Sequence, residues 1–155
     1  MHGGVRLVLG CVALAAACHH APPPAPAPPA PPAARAGPSL YERLGGRPAI
    51  GQVVADLIVR VTTDPRISDF FRGVDLDSLR AGLTDQLCQV TGGPCRYTGR
   101  PMRAVHASMN LKDADFDALV SDLVAALDRA GVAEREKGEL LGILGGLRRE
   151  IVTQH

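Results

Sequence analysis

One histidine lies where the surrounding sequence could hold it for metal chemistry. His106 follows Met102 by four residues, about one helical turn, and it is the only histidine between residues 39 and 154. A neutral imidazole is a good ligand for transition metals such as iron. A single histidine beside apolar residues is more often a packed or surface residue than a ligand. Its role therefore depends on what surrounds it in the sequence.

The 4 cysteines fall into two groups. Cys11 and Cys18 lie near the N-terminus, whereas Cys88 and Cys95 lie inside the second half of the chain. Residues 92–94 read Gly-Gly-Pro, which indicates a turn between the second pair. We therefore predict a disulfide between Cys88 and Cys95, with two unpaired thiols, or one buried thiol, as the alternative.

The N-terminal residues 1–18 have the pattern of a signal peptide. A short, positively charged start is followed by the apolar run Leu7–Ala17, which is too short to cross a bilayer as a helix. Small residues directly before Cys18 resemble a bacterial lipoprotein cleavage box, which implies that Cys18 carries a lipid. The resulting prediction is a lipoprotein of the cell envelope, anchored in the outer membrane and facing the periplasm. The alternative is an ordinary secretory signal that is cleaved near Ala17.

Residues 19–38 form a linker that is rich in proline and alanine. They contain most of the 13 prolines of the chain, and such a segment adopts an extended polyproline II conformation. At about 3.1 Å per residue, its proline-rich part at residues 21–38 spans roughly 50 Å. We predict a stalk that separates a membrane anchor from a folded domain at residues 39–155.

The charge balance excludes one large class of partner. Lys and Arg number 17 and Asp and Glu number 16, for a net charge of +1. No basic run is interleaved with aromatic residues, so nucleic acid is not expected to be a partner. A domain of this size has a small core, which a large apolar cofactor would help to fill.

Apolar residues after Ser39 recur at helical spacing, and no segment alternates with the period of a strand. Four helices are predicted, with Pro48 in the first turn of the first and Asp75 as a cap of the second. Their apolar faces are Ile50, Val53, Val54, Leu57, Ile58 and Val61; Leu76, Leu79, Leu83 and Leu87; Phe116, Leu119, Val120, Leu123, Val124 and Leu127; and Leu140, Leu144, Leu147 and Ile151. A loose stretch at residues 95–111 contains a predicted short helix at 101–108, which holds His106. The predicted fold class is all-α.

Five short motifs occur in a fixed order along this helical part. They are SLYERLGG at 39–46, DFFRG at 69–73, TGGP at 91–94, YTG at 97–99 and MRAVH at 102–106. Together this series resembles the group I truncated haemoglobins over about residues 39–153. The resemblance implies a two-over-two helical sandwich around haem b, with His106 as the proximal ligand of the iron.

The same resemblance assigns a haem pocket residue by residue. Phe71 would pack on the face of the haem, with Phe70 beside it. The remaining lining residues would be Leu79, Leu83, Tyr97, Met102 and Val105. Core packing without a cofactor is the alternative for each of them.

The distal side of this pocket departs from the family. Group I members often have a tyrosine on the first long helix and a polar residue on the second, and these positions fall on Ile58, Leu79 and Leu83. All three are aliphatic, and Gln86 is the nearest polar residue. O₂ gains from a donated hydrogen bond whereas CO gains little, so tight O₂ storage is not expected.

The predicted function is binding of a diatomic gas, O₂, CO or NO, to a haem. The alternatives are a redox or gas sensor at the cell envelope, in which the haem state or a Cys88–Cys95 disulfide is reported to a partner, and a dioxygenase that detoxifies NO. A haem-free adhesion or scaffold lipoprotein is a further alternative. No nucleophile triad, phosphate loop or thiolate metal cluster competes with these. Turnover would need an electron donor, so an unidentified reductase joins the gas and the membrane as an expected partner.

Overall fold

A computed structural model describes residues 37–154 of the chain. Within that range the chain forms seven α-helices and one 3-10 helix, and no strand. The elements are α1 (Leu40–Arg43), α2 (Gly46–Thr63), the 3-10 helix (Ser68–Phe71), α3 (Leu76–Val90), α4 (Met102–His106), α5 (Asp113–Arg129), α6 (Glu134–Gly145) and α7 (Arg148–Ile151). The predicted signal peptide at 1–18, with Cys18, and the linker up to residue 36 lie outside the described residues.

The long helix α2 forms the centre of the fold. It begins directly after Gly45, whose φ of 88° lies in the left-handed region that glycine tolerates best. It ends at Thr63, and Asp64 is extended because Pro65 disfavours a helical conformation in the residue before it. Its buried side chains, Ile50, Val53, Val54, Leu57, Ile58 and Val61, are those that the apolar spacing predicted. This helix prediction is confirmed.

Helix α3 packs against α2, and both of its ends are marked in the sequence. The Asp75 carboxylate accepts hydrogen bonds from the backbone N–H groups of Asp77 and Ser78, at 3.1 and 3.2 Å, and so caps the first turn. At the other end the chain leaves the helix through Gly92, whose φ is 87°. The predicted cap is confirmed, and the helix ends at the turn that residues 92–94 indicate.

Helix α5 packs against both α2 and α6. Its buried face includes Phe116, Leu123 and Leu127, and it ends before Gly131, which has a φ of 71°. The α2–α3 pair and the α5–α6 pair therefore form the predicted two-over-two sandwich. Val54 and Cys88 are completely buried between these helices, at 0% exposure.

The segment predicted as the fourth helix forms two helices in the structure. Helix α6 stops at Gly145 and α7 starts at Arg148. The break occurs at a pair of glycines, which are poor helix formers. The Gly146 N–H donates to the Ile143 carbonyl in a tighter turn, at 3.3 Å. The reorientation lets α7 pack against α4. No helix within the described range is long and apolar enough to cross a membrane.

Candidate functional site

An apolar cavity of about 200 Å³ lies between the 3-10 helix, α3, α4 and α5. Val74 and Val105 belong to its lining and are 40% and 37% exposed, so they mark its opening to solvent. Most other lining side chains are aliphatic or aromatic, and the exceptions are His106 and Asp115. The full lining consists of Ile67, Phe70, Phe71, Val74, Leu79, Val105, His106, Met109, Leu111, Asp115, Phe116, Leu119 and Ile151.

The short helix α4 presents His106 to this cavity. Pro101 precedes the helix, and its carbonyl accepts the backbone N–H groups of Ala104 and Val105 at 2.9 and 3.1 Å. Proline suits this position because it lacks an N–H that would otherwise need a partner. His106 is half-buried, and its Nδ1 lies 2.8 Å from the carbonyl oxygen of Met102.

That hydrogen bond sets the chemistry of the imidazole. A carbonyl oxygen can only accept, so Nδ1 must carry the proton and donate. In the neutral imidazole the other nitrogen, Nε2, then keeps its lone pair. A histidine whose one ring nitrogen donates to a backbone carbonyl, while the other is free, has the arrangement found at metal-ligating histidines.

The walls of the cavity fit haem. Porphyrin is a flat apolar ring that supplies the in-plane donors to its iron, so the protein needs apolar walls and one axial ligand. Phe70, Phe71 and Leu79 provide such walls on the sides formed by the 3-10 helix and α3, and Phe116 and Leu119 do so on α5. A lone imidazole among apolar side chains matches this requirement.

The 3-10 helix holds the two phenylalanines through backbone bonds to the turn before it. The Asp64 carbonyl accepts the Ile67 and Ser68 N–H groups at 3.1 and 2.8 Å, and the Ile67 carbonyl accepts that of Phe70 at 3.1 Å. Ile67 is buried, with 3% exposure. The turn is therefore fixed, and both Phe70 and Phe71 lie at the cavity wall.

The three aliphatic residues assigned to the distal side do not all line the cavity. Leu79 lines the cavity. Ile58 is 8% exposed within the core cluster, and Leu83 is half-buried against that cluster, so neither is part of the cavity lining. Both pack there because α2 and α3 are in direct contact. None of the three side chains brings a polar atom.

Gln86 and Met102 contact each other instead of the cavity. The Gln86 side-chain amide donates to the Met102 sulfur at 3.3 Å. This contact joins α3 to the start of α4. It engages one N–H of the Gln86 amide, and neither residue belongs to the cavity lining.

Tyr97 organises the loop between α3 and α4 rather than the cavity lining. Its hydroxyl donates to the Arg100 carbonyl at 3.0 Å, and its backbone N–H donates to the Gln89 side chain at 2.7 Å. A Cβ on Gly99 would lie 2.3 Å from the Tyr97 hydroxyl oxygen. Glycine at 99 therefore allows the tyrosine to fold back over the loop.

Cys88 and Cys95 are joined by a disulfide, with Cα atoms 5.7 Å apart. It ties the last turns of α3 to the loop that leads into α4. The turn between them leaves no room for a side chain at Gly93, since a Cβ there would lie 2.5 Å from a ring carbon of Tyr41 and 2.7 Å from the Cys88 sulfur. The Arg47 guanidinium donates to the Cys95 sulfur at 3.3 Å and also pairs with Asp85.

Several lining residues were not identified as site residues from the sequence. Phe116 and Leu119 were predicted to lie on the apolar face of the third helix, but only the packing shows that this part of the face meets the cavity. Asp115 does not belong to that apolar face. Its carboxylate accepts the Lys112 backbone N–H at 2.8 Å at the start of α5. Nothing in its spacing indicates a place in the cavity wall.

Helix α7 closes the site from the C-terminal side. Ile151 lines the cavity, and the backbone N–H groups of Thr153 and Gln154 donate to the Leu111 carbonyl at 2.9 and 3.0 Å. The Arg148 guanidinium lies 4.6 Å from the centre of the Phe116 ring. These contacts anchor the helix that packs against the histidine-bearing α4.

Comparisons with known proteins agree with this geometry. A family model described as bacterial-like globin matches residues 39–153. A group 1 truncated hemoglobin of Mycolicibacterium paratuberculosis is 36% identical over 115 residues, which cover 74% of this chain and 85% of that protein.

Solved structures match over a similar share of the chain. The truncated hemoglobin of Tetrahymena pyriformis, in its Fe(III) form, superposes with a TM-score of 0.72 at 32% identity, covering 74% of this chain and 98% of the other. A 2/2 hemoglobin from Synechococcus, solved in the cyanomet state with covalently attached heme, gives a TM-score of 0.71 at 31% identity, covering 76% of this chain and 100% of the other.

Proposed function

Because this chain belongs to the bacterial-like globins, and among them to the group 1 truncated haemoglobins, we propose that His106 is the axial ligand of its haem iron. We also propose that the diatomic gas binds to the iron beside an apolar wall of the cavity. Haem is the cofactor of this family, and binding of diatomic gases follows from it. The observation that carries the proposal is the His106–Met102 hydrogen bond, which leaves Nε2 free on a residue of the cavity wall.

When bound, haem supplies an iron with an open position at which O₂, CO or NO attaches. The chain's own contribution is to hold the imidazole and to exclude water. The Met102 carbonyl orients the His106 ring and raises its basicity as a ligand. Phe70, Phe71 and Phe116 keep the cavity apolar, so water has few polar partners there.

The gas-binding side is proposed to offer no hydrogen-bond donor. Leu79, Leu83 and Ile58 are aliphatic, and the Gln86 amide already donates to the Met102 sulfur. A donor would stabilise O₂ by about 1.5–3 kcal/mol if the acceptor carries charge. Without one, the protein favours CO or NO over O₂, which suits reversible binding or sensing better than tight O₂ storage.

A sensing role is the second candidate, and the disulfide is the observation that favours it. The Cys88–Cys95 bond connects the end of α3 to the loop that leads to α4. Reduction of that bond would release the loop before the histidine, so thiol redox state and haem binding would be coupled. Oxidation of NO, by contrast, requires repeated reduction of the iron by an outside electron donor.

A visible spectrum of the purified protein tests the haem assignment. Residues 37–155, expressed with haem precursor supplied, are expected to show a Soret band, and the dithionite-reduced protein is expected to shift that band under CO. A double variant with Phe71→Ser and Phe116→Ser is the companion sample, and we expect it to retain less haem. Protein that folds as helices but has no Soret band contradicts the proposal.

The cellular location is a separate proposal that depends on the N-terminal residues. We propose that Cys18 is lipidated and that residues 19–38 separate the anchor from the haem domain. Cys18→Ser is expected to block processing and membrane retention, as measured by fractionation and intact mass. A Cys18→Ser protein that is processed normally and released from the membrane would show an ordinary secretory signal instead.

A further inference from the structure

The basic residues of this chain are unevenly distributed around the cavity. Residues 86–112 contain Arg96, Arg100, Arg103 and Lys112 but no aspartate or glutamate. The whole chain, by comparison, has 17 basic and 16 acidic residues. The excess of positive charge is therefore concentrated in the loop before α4, in α4 itself and in the turn that follows it.

The three arginines of this stretch are exposed and have no acidic partner. Arg96, Arg100 and Arg103 are each exposed, and none forms an ion pair with a residue between 37 and 154. The Arg100 guanidinium donates to the Ala104 carbonyl at 2.8 Å, which keeps it beside α4. We call these three residues the arginine surface.

Arginines elsewhere in the described residues are often paired. Arg43 bonds to Glu136 and Glu139, Arg47 to Asp85, and Arg148 to Asp113 and Asp117. Charges paired in this way contribute little to long-range attraction. The unpaired charges of the arginine surface contribute fully, and their field extends over about a Debye length, roughly 8–10 Å at physiological salt.

Part of the arginine surface lies on α4, the helix whose Val105 marks the opening of the cavity. Arg103 precedes His106 by three residues on α4, and Val105, between them, lines the cavity and is 37% exposed. An exposed apolar side chain next to cations is the usual composition of a small, transient docking site, in which charge sets the rate of encounter. The edge of a haem bound in this cavity would be reached from the same opening.

We infer that the arginine surface docks an acidic protein that carries one electron and reduces the ferric haem. The inference rests on the proposed function, because it needs haem in the cavity. In the step, one electron leaves the reduced carrier, which becomes oxidised by one electron, and Fe(III) becomes Fe(II); no bond is made or broken in the protein. An acidic partner is preferred over an anionic membrane because the apolar part of the surface is a short valine, not a long side chain that would enter a bilayer.

The test uses the ferric holoprotein, with a plant-type [2Fe–2S] ferredoxin as the acidic carrier. Stopped-flow mixing of reduced ferredoxin with ferric protein under CO records formation of the CO-bound ferrous spectrum. The second-order rate is expected to fall roughly tenfold or more between low and high ionic strength. Chemical-shift mapping with oxidised ferredoxin is expected to locate binding at residues 96–109.

Two charge-reversal variants separate location from net charge. Arg103→Glu is expected to slow reduction by roughly threefold or more at low ionic strength. Arg135→Glu changes the net charge equally but lies on α6, outside residues 96–109 and outside the cavity lining, and is expected to have a smaller effect. Equal effects of the two variants overturn the inference.

Failure of the inference can be distinguished from failure of the proposed function. A protein without a Soret band, or one that dithionite cannot reduce, contradicts the proposed function. A normal Soret band together with a ferredoxin rate that is independent of ionic strength overturns the docking surface alone. Binding to phosphatidylglycerol vesicles that depends on Arg103, without a salt-dependent ferredoxin rate, also overturns it and assigns the surface to a membrane. If Arg103→Glu releases haem, the ionic-strength dependence of the ferredoxin rate, measured on the unmodified protein, decides whether the docking surface stands.

Discussion

Replacement of Leu79 by glutamine is expected to slow O₂ release from the ferrous protein by roughly ten- to a hundredfold. Leu79 is the residue of α3 that lines the cavity, and it is half-buried. Glutamine adds an amide donor at that position. A hydrogen bond to a charged acceptor contributes about 1.5–3 kcal/mol, and each ~1.4 kcal/mol changes a dissociation rate about tenfold. CO accepts a hydrogen bond poorly, so its release is expected to change much less.

The assay is displacement of O₂ by CO in a stopped-flow instrument. Leu79→Met is the matched control, because methionine has a similar volume and no donor. Gln86→Leu is expected to leave O₂ release nearly unchanged, since the Gln86 amide donates to the Met102 sulfur. Ile58→Tyr also adds a donor, but Ile58 is buried, and overpacking there costs about 1–3 kcal/mol of stability.

Two results would refute this reasoning. If Leu79→Met slows O₂ release as much as Leu79→Gln, side-chain shape rather than hydrogen bonding controls the rate. If the unmodified protein already releases O₂ as slowly as Leu79→Gln, a donor is present and the apolar description of the distal side is wrong.

The remaining predictions concern stability. Gly93→Ala is expected to lower the free energy of unfolding by about 1–3 kcal/mol, because the new methyl group meets a tyrosine ring and the disulfide; unchanged urea denaturation would contradict this. Joint replacement of Cys88 and Cys95 by serine is expected to cost about 2–3 kcal/mol, and alkylation without reductant that labels two thiols in the exported protein would refute the pairing. Burial, and then the charge of Asp64, raise the pKa of Asp122 above its ordinary 3.8. The charged form of Asp122 is therefore disfavoured in the folded state, and the contribution of Asp122 to stability falls as pH rises from about 3.8 through the raised pKa. Asp122→Asn is therefore expected to become more favourable, relative to the unmodified protein, from about pH 4 to pH 7, and a difference independent of pH would contradict this.

Much of the fold follows from local signals that the sequence contains. The apolar spacing from Ile50 to Val61, with glycines before it and Asp64–Pro65 after it, is enough to predict α2 and its buried face. The break between α6 and α7 was not predicted, because leucines on both sides of Gly145 and Gly146 continue the helical spacing. Packing of α7 against α4 decides the direction of the chain there, and that is a long-range contact.

The site was predicted less completely than the fold, for a related reason. His106 and the Phe70–Phe71 pair were identified by the family motifs. Whether Ile58 reaches the cavity depends on how closely α2 and α3 pack, which a sequence pattern does not encode. Gln86 illustrates the same point, because its bond to a methionine on another helix has no local signature.

His106→Gly tests most directly whether His106 ligates the haem iron through Nε2. The variant is expected to lose haem or to hold it loosely, and added imidazole, which can occupy the vacated space, is expected to restore the Soret band and the axial-ligand signature in resonance Raman spectra. Met109→Leu, a change of similar volume in the same cavity wall, is expected to keep both features. Full haem content in His106→Gly, with a spectrum that is unchanged and insensitive to imidazole, would contradict the account.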